Sequence, residues 1–513
     1  LDPSPTLDPL DSSLAFQQFI VAFQGLLGAS RPITDAQMLA FTNFVLQITY
    51  PPNPIRALDN SLTPDQQAGH DFFMSSTVSD SLQPCHGCHA LDPANGHFGT
   101  DGFSSFEGES QDFKIPHLRN AYQKVGMFGM PSTSQFINSF DNGFQGDQVR
   151  GFGFLHDGSV DTVFRFHHAA VFNQSGLNPG GFQPGPAGDP LRRQVEQFVL
   201  AFDSDLAPIV GQQITLTSVN GVTVGPRINL LLARAAAGEC DVVVKGTIAG
   251  EARGAYRTAA GSFQTDRAGD PLLSDAAVRA YAATPGQELT YTAVPPGSGV
   301  RIGVDRDLDG FYDRDELDAG SDPADPLSVP PSAITCAGTV SVDKPVLEVT
   351  KNGDPAGDEN LTLNGQLQLT NLTPPIDPLD NGFQFRVDDT NGNPIFWRVL
   401  PTGAPASKGA AGWTASGTTW TYKDASGTVA SGITKVVIKN KSATTPGLFT
   451  FAVTGKNNNF QVTTGAVPVH ALVILGGPTQ GSAGQCGVRA FNPASGTSPR
   501  CKLSANGNSL TCR

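Results

Sequence analysis

The chain has 513 residues, a formal net charge of −14 and only 16% charged side chains. This length exceeds what one hydrophobic core normally serves, so we expect several domains. The acidic balance argues against nucleic-acid binding, because few cations are available to neutralise phosphates. No apolar run reaches the roughly 18–20 residues that a transmembrane helix needs.

Residues 1–61 form a predicted N-terminal helical segment. Apolar residues at helical spacing predict amphipathic helices over Ser13–Leu27 and Asp35–Ile48, the second of which begins after Thr34 as its N-cap. A proline-rich stretch at 50–54 then ends the second helix. Two interpretations stay open: a hairpin that packs on the next domain, or the end of an upstream domain in a longer precursor.

Residues 62–235 contain the most specific motif of the chain, CHGCH at Cys85–His89. A predicted helix that begins with Thr63-Pro64 and carries Gln66 at a capping-box position leads into it. Two thiols at this spacing can reach both vinyl groups on one porphyrin edge, and the following imidazole can then reach the iron. We therefore expect one covalent haem c, bound through Cys85 and Cys88 and ligated by His89. No second cysteine pair lies at zinc-site spacing.

The segments around this motif resemble a known family. LTPDQQAGHDFF at 62–73, FKIPHLRN at 113–120 and HDGSVDTV at 156–163 are similar to the C-terminal haem domain of the bacterial dihaem cytochrome c peroxidase/MauG superfamily. The resemblance implies an α-helical c-type cytochrome domain, with Lys114 and Arg119 at the haem crevice and Arg119 near a propionate. A structural salt bridge is the alternative role for Arg119. Because peroxidases of this family carry two such haem motifs and this chain carries one, peroxidase activity is not implied.

The second axial ligand of the iron decides between functions. Methionine suits electron transfer, whereas an open position permits peroxide or oxygen chemistry. Met127 is the first choice, because it follows the FKIPHLRN segment most directly. Met130, His167 and His168 are the alternatives.

Residues 236–335 form a predicted β-rich domain that begins with the strand DVVVK at Asp241–Lys245 and ends in an acidic loop. The twelve residues 305–316, DRDLDGFYDRDE, match the EF-hand calcium loop. The segment before the loop, Val300–Val304, has the pattern of a strand. The predicted calcium ligands are the side chains of Asp305, Asp307, Asp309, Asp313 and Glu316 and the carbonyl oxygen of Phe311.

Residues 336–513 form a predicted all-β, sandwich-like domain with a disulfide-bearing tail. Short alternating strands carry this prediction, and glycine, asparagine and proline turns separate them. Four of them are Leu361–Leu369, Phe383–Val387, Thr434–Lys439 and Leu448–Val453. Five cysteines lie outside the haem motif, which is typical of a protein that folds in an oxidising compartment. The predicted pairs are Cys240 with Cys336, and two of the last three cysteines, 486, 501 and 512.

The expected architecture is therefore an α-helical c-type cytochrome domain, then a calcium-loop β-rich domain, then an all-β C-terminal domain. The favoured function is electron transfer by an exported monohaem cytochrome, periplasmic or extracellular (including the cell surface), whose signal peptide has been removed and which meets a redox partner protein. Two alternatives stay open. One is a haem enzyme of the peroxidase or oxygenase type. The other is a scaffold that carries haem and calcium and forms homo-oligomers or a cell-surface assembly.

Overall fold

The computed structural model describes residues 11–30, 32–80, 82–102, 104–105, 113–126, 151–155, 158, 160–338, 340–353, 355–407 and 409–513. The predicted ligands Met127 and Met130 lie outside these ranges. The chain divides into two compact units. The first comprises Leu1–Glu251, Ala259–Gly261 and Asp275–Gly299, and the second comprises Ala252–Thr258, Ser262–Ser274 and Val300–Arg513.

The helices are mostly short, and several are single turns. In chain order they are α1 Ser12–Gln17, α2 Ala22–Gly25, α3 Asp35–Val45, α4 Pro64–Phe73, α5 Cys85–Cys88, α6 Ala121–Lys124, α7 Val163–Phe166, α8 Asp189–Leu200, α9 Gly221–Ala236, α10 Asp275–Tyr281, α11 Gly299–Gly303, α12 Asp313–Ala319, α13 Pro378–Asn381 and α14 Pro478–Ser482. Six 3-10 turns lie at Gln18–Val21, Pro93–Asn95, Ala170–Phe172, Gly185–Gly188, Pro331–Ala333 and Thr464–Ala466.

The strands are concentrated in the second half of the chain. They are β1 Leu91–Asp92, β2 His97–Phe98, β3 Ser104–Ser105, β4 Phe113–Lys114, β5 Gln213–Leu216, β6 Asp241–Ile248, β7 Glu251–Arg257, β8 Phe263–Thr265, β9 Leu289–Val294, β10 Asp343–Thr350, β11 Glu359–Gln368, β12 Phe383–Asp388, β13 Pro394–Leu400, β14 Gly412–Ser416, β15 Thr419–Lys423, β16 Ile433–Asn440, β17 Leu448–Asn458, β18 His470–Ile474, β19 Cys486–Ala490, β20 Cys501–Leu503 and β21 Ser509–Cys512.

The predicted fold class is wrong, because no α-helical cytochrome domain is evident in the described part of the chain. The protein is mixed α/β, with 26% helix and 26% strand. Near the cysteine motif, the one-turn helices α5, α6 and α7 alternate with two-residue strands and loops. Glycines with left-handed φ, such as Gly96 (+80°) and Gly153 (+84°), interrupt the helical path, and prolines such as Pro116 withhold the N–H donor that a helix needs.

The packing of α4 against α8 positions the cysteine motif. The predicted start of α4 is confirmed: Thr63 accepts a hydrogen bond from the Gln66 amide, and the reciprocal bond completes a capping box. Gly69 lies at the crossing, where a Cβ atom would sit 2.0 Å from the Gln194 carbonyl oxygen, so the two backbones approach as only glycine allows. Phe73 of α4 packs with Phe198 of α8 in an aromatic core.

The proline-rich stretch at 50–54 is bound to the end of α8 rather than extended away from it. The Asn53 amide donates to the carbonyl oxygens of Leu200 and Phe202, both at 2.9 Å. The Tyr50 amide donates to the Asp205 carboxylate at 2.7 Å. These contacts hold the proline-rich stretch against the end of α8 and the residues that follow it.

In the first unit, strands β5, β9 and β6 pair antiparallel. β9 lies between β5 and β6, and α9 packs on the sheet through Val224, Ile228 and Leu231. The predicted strand DVVVK becomes β6, with Val242 to Val244 almost fully buried. Because both faces of this run are covered, it is apolar without alternation.

The C-terminal part of the second unit is β-rich. One sheet has the order β14-β15-β16-β17-β11-β10-β21-β20, the other has the order β13-β12-β18-β19, and their inner faces share one core. Trp413 is fully buried there, whereas Trp397 and Trp420 pack at the margins of cores. Two short helices, α13 and α14, lie between strands of this region.

Two disulfides are present, Cys336–Cys486 and Cys501–Cys512. The predicted Cys240–Cys336 pair is wrong, and the predicted pair within the tail is confirmed. Cys240 remains a buried thiol whose sulfur lies 4.0 Å from the Leu231 carbonyl oxygen. Disulfides of this kind fit a protein that folds in an oxidising compartment. Among the helices of the described residues, none has the length and apolarity to cross a bilayer.

Candidate functional site

The CHGCH motif forms the single-turn helix α5 and the residue that ends it. The His89 amide donates to the Cys85 carbonyl oxygen at 2.9 Å, which closes the turn. Residues three apart lie on the same face of a helix, so the turn presents both thiols on one side. Cys85 and Cys88 form no disulfide, although four other cysteines of the chain are paired.

The two thiols have different surroundings. Cys85 packs against the aromatic core of α4 and α8, and its sulfur lies 3.2 Å from the Ser79 hydroxyl. Burial is the main cause that raises the pKa of the Cys85 thiol. Burial also raises the pKa of Cys88, with a further contribution from the charges of Asp80 and Asp101. Both side chains are therefore held as neutral thiols at neutral pH.

Backbone carbonyl oxygens orient the imidazole of His89. Its Nδ1 lies 2.7 Å from the Gly99 carbonyl oxygen. A carbonyl oxygen can only accept, so Nδ1 carries the proton and Nε2 of the neutral ring keeps its lone pair. Burial lowers the pKa of His89, and the carbonyl groups of Gly99 and Pro116 oppose that shift. The ring is thus a neutral ligand with Nε2 available, as iron ligation requires.

Gly99 is a residue that the sequence analysis missed. Its φ of +85° belongs to the left-handed region, and a Cβ atom there would lie 2.6 Å from Cγ of Leu118. Its amide donates to the Ala90 carbonyl oxygen at 2.7 Å, which folds the loop back over the motif. Gly99 acts through its backbone carbonyl oxygen, which a loop ten residues after His89 brings to the imidazole. No local sequence pattern therefore indicates this residue.

Arg119 forms the ion pair that was one of its two predicted roles. Its guanidinium lies 2.7 Å from the Asp205 carboxylate and 4.3 Å above the Tyr50 ring centroid. The Nε atom is buried without a hydrogen-bond partner, so the side chain keeps donor capacity for a second anion. Lys114 is exposed.

His117, which the sequence analysis did not select, belongs to the same cluster as Arg119. Its Nε2 lies 2.8 Å from the Tyr50 hydroxyl. Burial, together with the nearby charges of Arg119 and Lys124, lowers the pKa of His117 to about 4. This imidazole is consequently neutral at neutral pH.

His167 is enclosed by aromatic rings. It is 8% exposed, and its ring centroid lies 5.2 Å from that of Phe182 and 5.9 Å from those of Phe166 and Phe172. Its Nδ1 is buried without a hydrogen-bond partner. Burial lowers the pKa of His167 to about 3, and a charge on His89 is among the smaller causes, so the two imidazoles are close enough to interact.

The neighbouring His168 has a different environment. Its Nε2 lies 3.4 Å from the Asp189 carboxylate, and its ring meets that of Phe164 edge to face, with the centroids 4.7 Å apart. Of the two adjacent histidines, His167 is therefore the better candidate for an iron ligand.

The predicted calcium loop lies between α11 and α12 in the second unit. Ligand atoms of Asp305, Asp307 and Asp309 lie within 4.8 Å of one another. Glu316 is fully buried on α12. The predicted strand at 300–304 is wrong, because this segment forms α11, and the loop therefore has a short helix on each side.

Comparison of the chain with protein-family models, with curated proteins and with solved structures gave no match.

Proposed function

We propose that this protein is an exported, monohaem c-type haem protein that transfers electrons to or from a redox partner in the periplasm or outside the cell. The observation that carries the proposal is the His89–Gly99 hydrogen bond beside the two thiols of α5. This hydrogen bond favours the neutral imidazole whose Nε2 carries no proton, and the ring lies next to two thiols on one face of a turn. The donor set fits a covalently attached haem.

The roles of the chain's own residues follow from this arrangement. Cys85 and Cys88 would hold a haem through two thioethers, each formed by addition of an S–H bond across one vinyl group with no leaving group. His89 supplies Nε2, while the Gly99 carbonyl keeps the ring from rotating. The haem supplies a one-electron couple at iron. Arg119, which keeps an unused Nε donor, is the candidate partner for a propionate.

Electron transfer is favoured over peroxide chemistry when a second protein ligand closes the sixth position. Met127 is the ligand that the sequence favours, and His167 is the alternative that the described structure supports. An enclosed, unpartnered imidazole nitrogen of a neutral histidine is a suitable iron ligand. The two choices differ in reduction potential, which methionine raises and histidine lowers.

The test is the spectrum of the oxidised and reduced full chain, produced with c-type haem maturation, beside Met127→Ala, Met130→Ala and His167→Ala. We expect a low-spin ferric haem in the unsubstituted protein. Loss of a far-red methionine–iron band in one methionine variant would identify that ligand. Conversion to high spin in the His167 variant alone would identify two histidine ligands.

Three results would contradict the proposal. A chain that carries no covalent haem after maturation would remove its basis. A high-spin ferric haem that reacts rapidly with peroxide would favour the alternative of a peroxidase-type enzyme. Full haem loading with no measurable reduction by small electron donors would favour the scaffold alternative.

Gly99→Ala should disturb His89 much more than Gly96→Ala does. Both glycines have left-handed φ, of +85° and +80°, so each alanine carries a backbone strain of about 1–2 kcal/mol. Only at position 99 would the new Cβ meet other atoms, whereas position 96 has nothing within 4 Å. We expect Gly99→Ala to lose an additional ~1–3 kcal/mol from overpacking and to shift the reduction potential through His89.

Denaturant unfolding and redox titration of the two glycine variants measure these effects separately. Equal stability losses together with equal potentials would show that the Gly99 carbonyl does not position His89.

A further inference from the structure

The loop from Asp305 to Glu316 is closed at both ends by backbone hydrogen bonds. The Asp305 amide donates to the Val300 carbonyl oxygen at 3.0 Å, and the Asp313 amide donates to the Val304 carbonyl oxygen at 2.7 Å. Gly310, with φ of +95°, makes the turn between them. The loop is therefore a compact structure of the second unit, with its acidic side chains directed by local backbone groups.

In each of the first three aspartates of the loop, one carboxylate oxygen accepts a hydrogen bond from a backbone amide of the loop. Backbone amides of Gly310, Asp309 and Phe311 donate to Asp305, Asp307 and Asp309 at 3.2, 3.2 and 2.8 Å respectively. The other oxygen of each carboxylate is buried without a hydrogen-bond partner.

Glu316 adds two more oxygens of the same kind. It is 0% exposed, and both Oε atoms are buried without a hydrogen-bond partner. Within the described residues, no lysine or arginine forms an ion pair with this glutamate or with Asp305, Asp307 or Asp309.

Five buried carboxylate oxygens of this loop lack a hydrogen-bond partner, and they need a cation because buried charges without a counter-ion are strongly destabilising. Calcium takes six to eight oxygen ligands in flexible geometry and accepts a bidentate carboxylate, whereas magnesium demands a smaller octahedron and retains several waters. The site offers oxygens only, which also disfavours zinc and copper.

Helix α12, which carries Glu316, is bound to the β7–β8 hairpin of the same unit. The Arg314 amide donates to the Asp266 carbonyl oxygen at 3.0 Å, and the Ala268 amide donates to the Asp315 carboxylate at 2.8 Å. An ion pair of 2.7 Å joins Arg267 to Asp318.

The hairpin itself is braced by a buried ion-pair network. The Arg253 guanidinium lies 2.6 Å from the Asp266 carboxylate and 2.7 Å from that of Asp270. The Gly254 amide also donates to Asp266 at 2.7 Å. The backbone carbonyl of Asp266 accepts from α12, so this one residue connects the network to the helix.

We propose that the loop 305–316 binds one resident Ca²⁺ ion, and that this ion holds α12 in place as the support of the β7–β8 hairpin. The ion would be structural, because all of the oxygens come from one short loop and the following helix. Without the ion, the carboxylates of Asp305, Asp307, Asp309 and Glu316 repel one another beside the start of α12. The contacts from α12 to Asp266, Arg267 and Ala268 then lose their support.

The experiment uses the full chain after treatment with a chelator, with CaCl₂ and MgCl₂ as the probes. Isothermal titration calorimetry should give one Ca²⁺ per chain, with Mg²⁺ at least about tenfold weaker. Hydrogen exchange of residues 252–274 should slow at least about tenfold when Ca²⁺ is added.

Three variants separate the parts of the proposal. Glu316→Gln should weaken Ca²⁺ binding at least about tenfold, because the bidentate carboxylate is lost. Glu288→Gln is the matched control at an exposed glutamate outside the loop, and it should bind Ca²⁺ as the unsubstituted chain does. Asp318→Asn should bind Ca²⁺ normally but lose part of the protection of residues 252–274.

Each part can be overturned. Absence of Ca²⁺ binding by a chain with native circular dichroism, or unchanged affinity in Glu316→Gln, would overturn the site. Equal affinity for Mg²⁺ would overturn the assignment to calcium. If one Ca²⁺ binds per chain but the hydrogen exchange of residues 252–274 does not change, the proposed support of the hairpin is wrong and the calcium site still stands.

Discussion

The double variant Cys85→Ala/Cys88→Ala should carry no covalently attached haem, whereas Cys240→Ala should carry as much as the unsubstituted chain. The reason is geometric: only the first two thiols lie three residues apart on one turn, next to an imidazole that is already oriented. Cys240 is a thiol in a buried position of the first unit, at 2% exposure. The variant Cys240→Ala therefore controls for effects of losing a cysteine that are unrelated to haem attachment.

Haem staining on a denaturing gel, together with the intact mass, measures covalent attachment directly. Each single cysteine variant should retain one thioether and show reduced loading. Circular dichroism of the apo-variants shows whether the chain still folds. Full haem loading of the double variant, or its loss from Cys240→Ala, would be incompatible with attachment at α5.

Removing Cys336–Cys486 should destabilise the second unit more than removing Cys501–Cys512. The first disulfide closes a loop of 150 residues and the second a loop of 11. Loop-closure entropy alone gives stabilisations of ~5 and ~3 kcal/mol respectively. Paired serine substitutions should therefore lower the free energy of unfolding by values that differ by about 2 kcal/mol.

Denaturant unfolding followed by tryptophan fluorescence measures this difference, because all three tryptophans lie in the second unit. The variant that lacks Cys501–Cys512 serves as the matched comparison, since both pairs lie in one unit and contribute two serines each. Equal losses, or a larger loss for the short loop, would show that loop entropy does not control the stability of this unit.

Local features of the structure were predictable from the sequence alone. Thr34 and Thr63 each begin a helix as predicted, and at Thr63 the spacing to Gln66 also indicates the capping box that forms. Four of the predicted C-terminal strands appear as β11, β12, β16 and β17 within a few residues. The helix starts depend on contacts among residues close in the chain, and the strands depend on the alternation of apolar and polar residues. The sequence pattern is therefore sufficient to predict these elements.

The helical character expected for residues 62–235 was not predictable in this way. The amphipathic pattern over Leu191–Phe202 corresponds to α8, but the described segments between α4 and α8 are one-turn helices, turns and short strands. The resemblance implies a helical domain, although of the segments that carry it 62–73 forms α4 and 113–120 forms β4 and a loop. Motifs of this kind determine where ligands lie, while the path between them depends on glycines and prolines.

The chain by itself determined the chemistry that can occur: two thiols and an imidazole in CHGCH, and a complete set of oxygen ligands in 305–316. Tertiary structure alone decided which carbonyl orients His89, which rings enclose His167 and how the cysteines pair. It also decided that α12 supports the β7–β8 hairpin. The physical reason is the sequence distance between interacting residues. Spacing within one turn determines which ligand atoms lie together, whereas Gly99, Phe182 and Cys486 reach their partners only after the chain has folded.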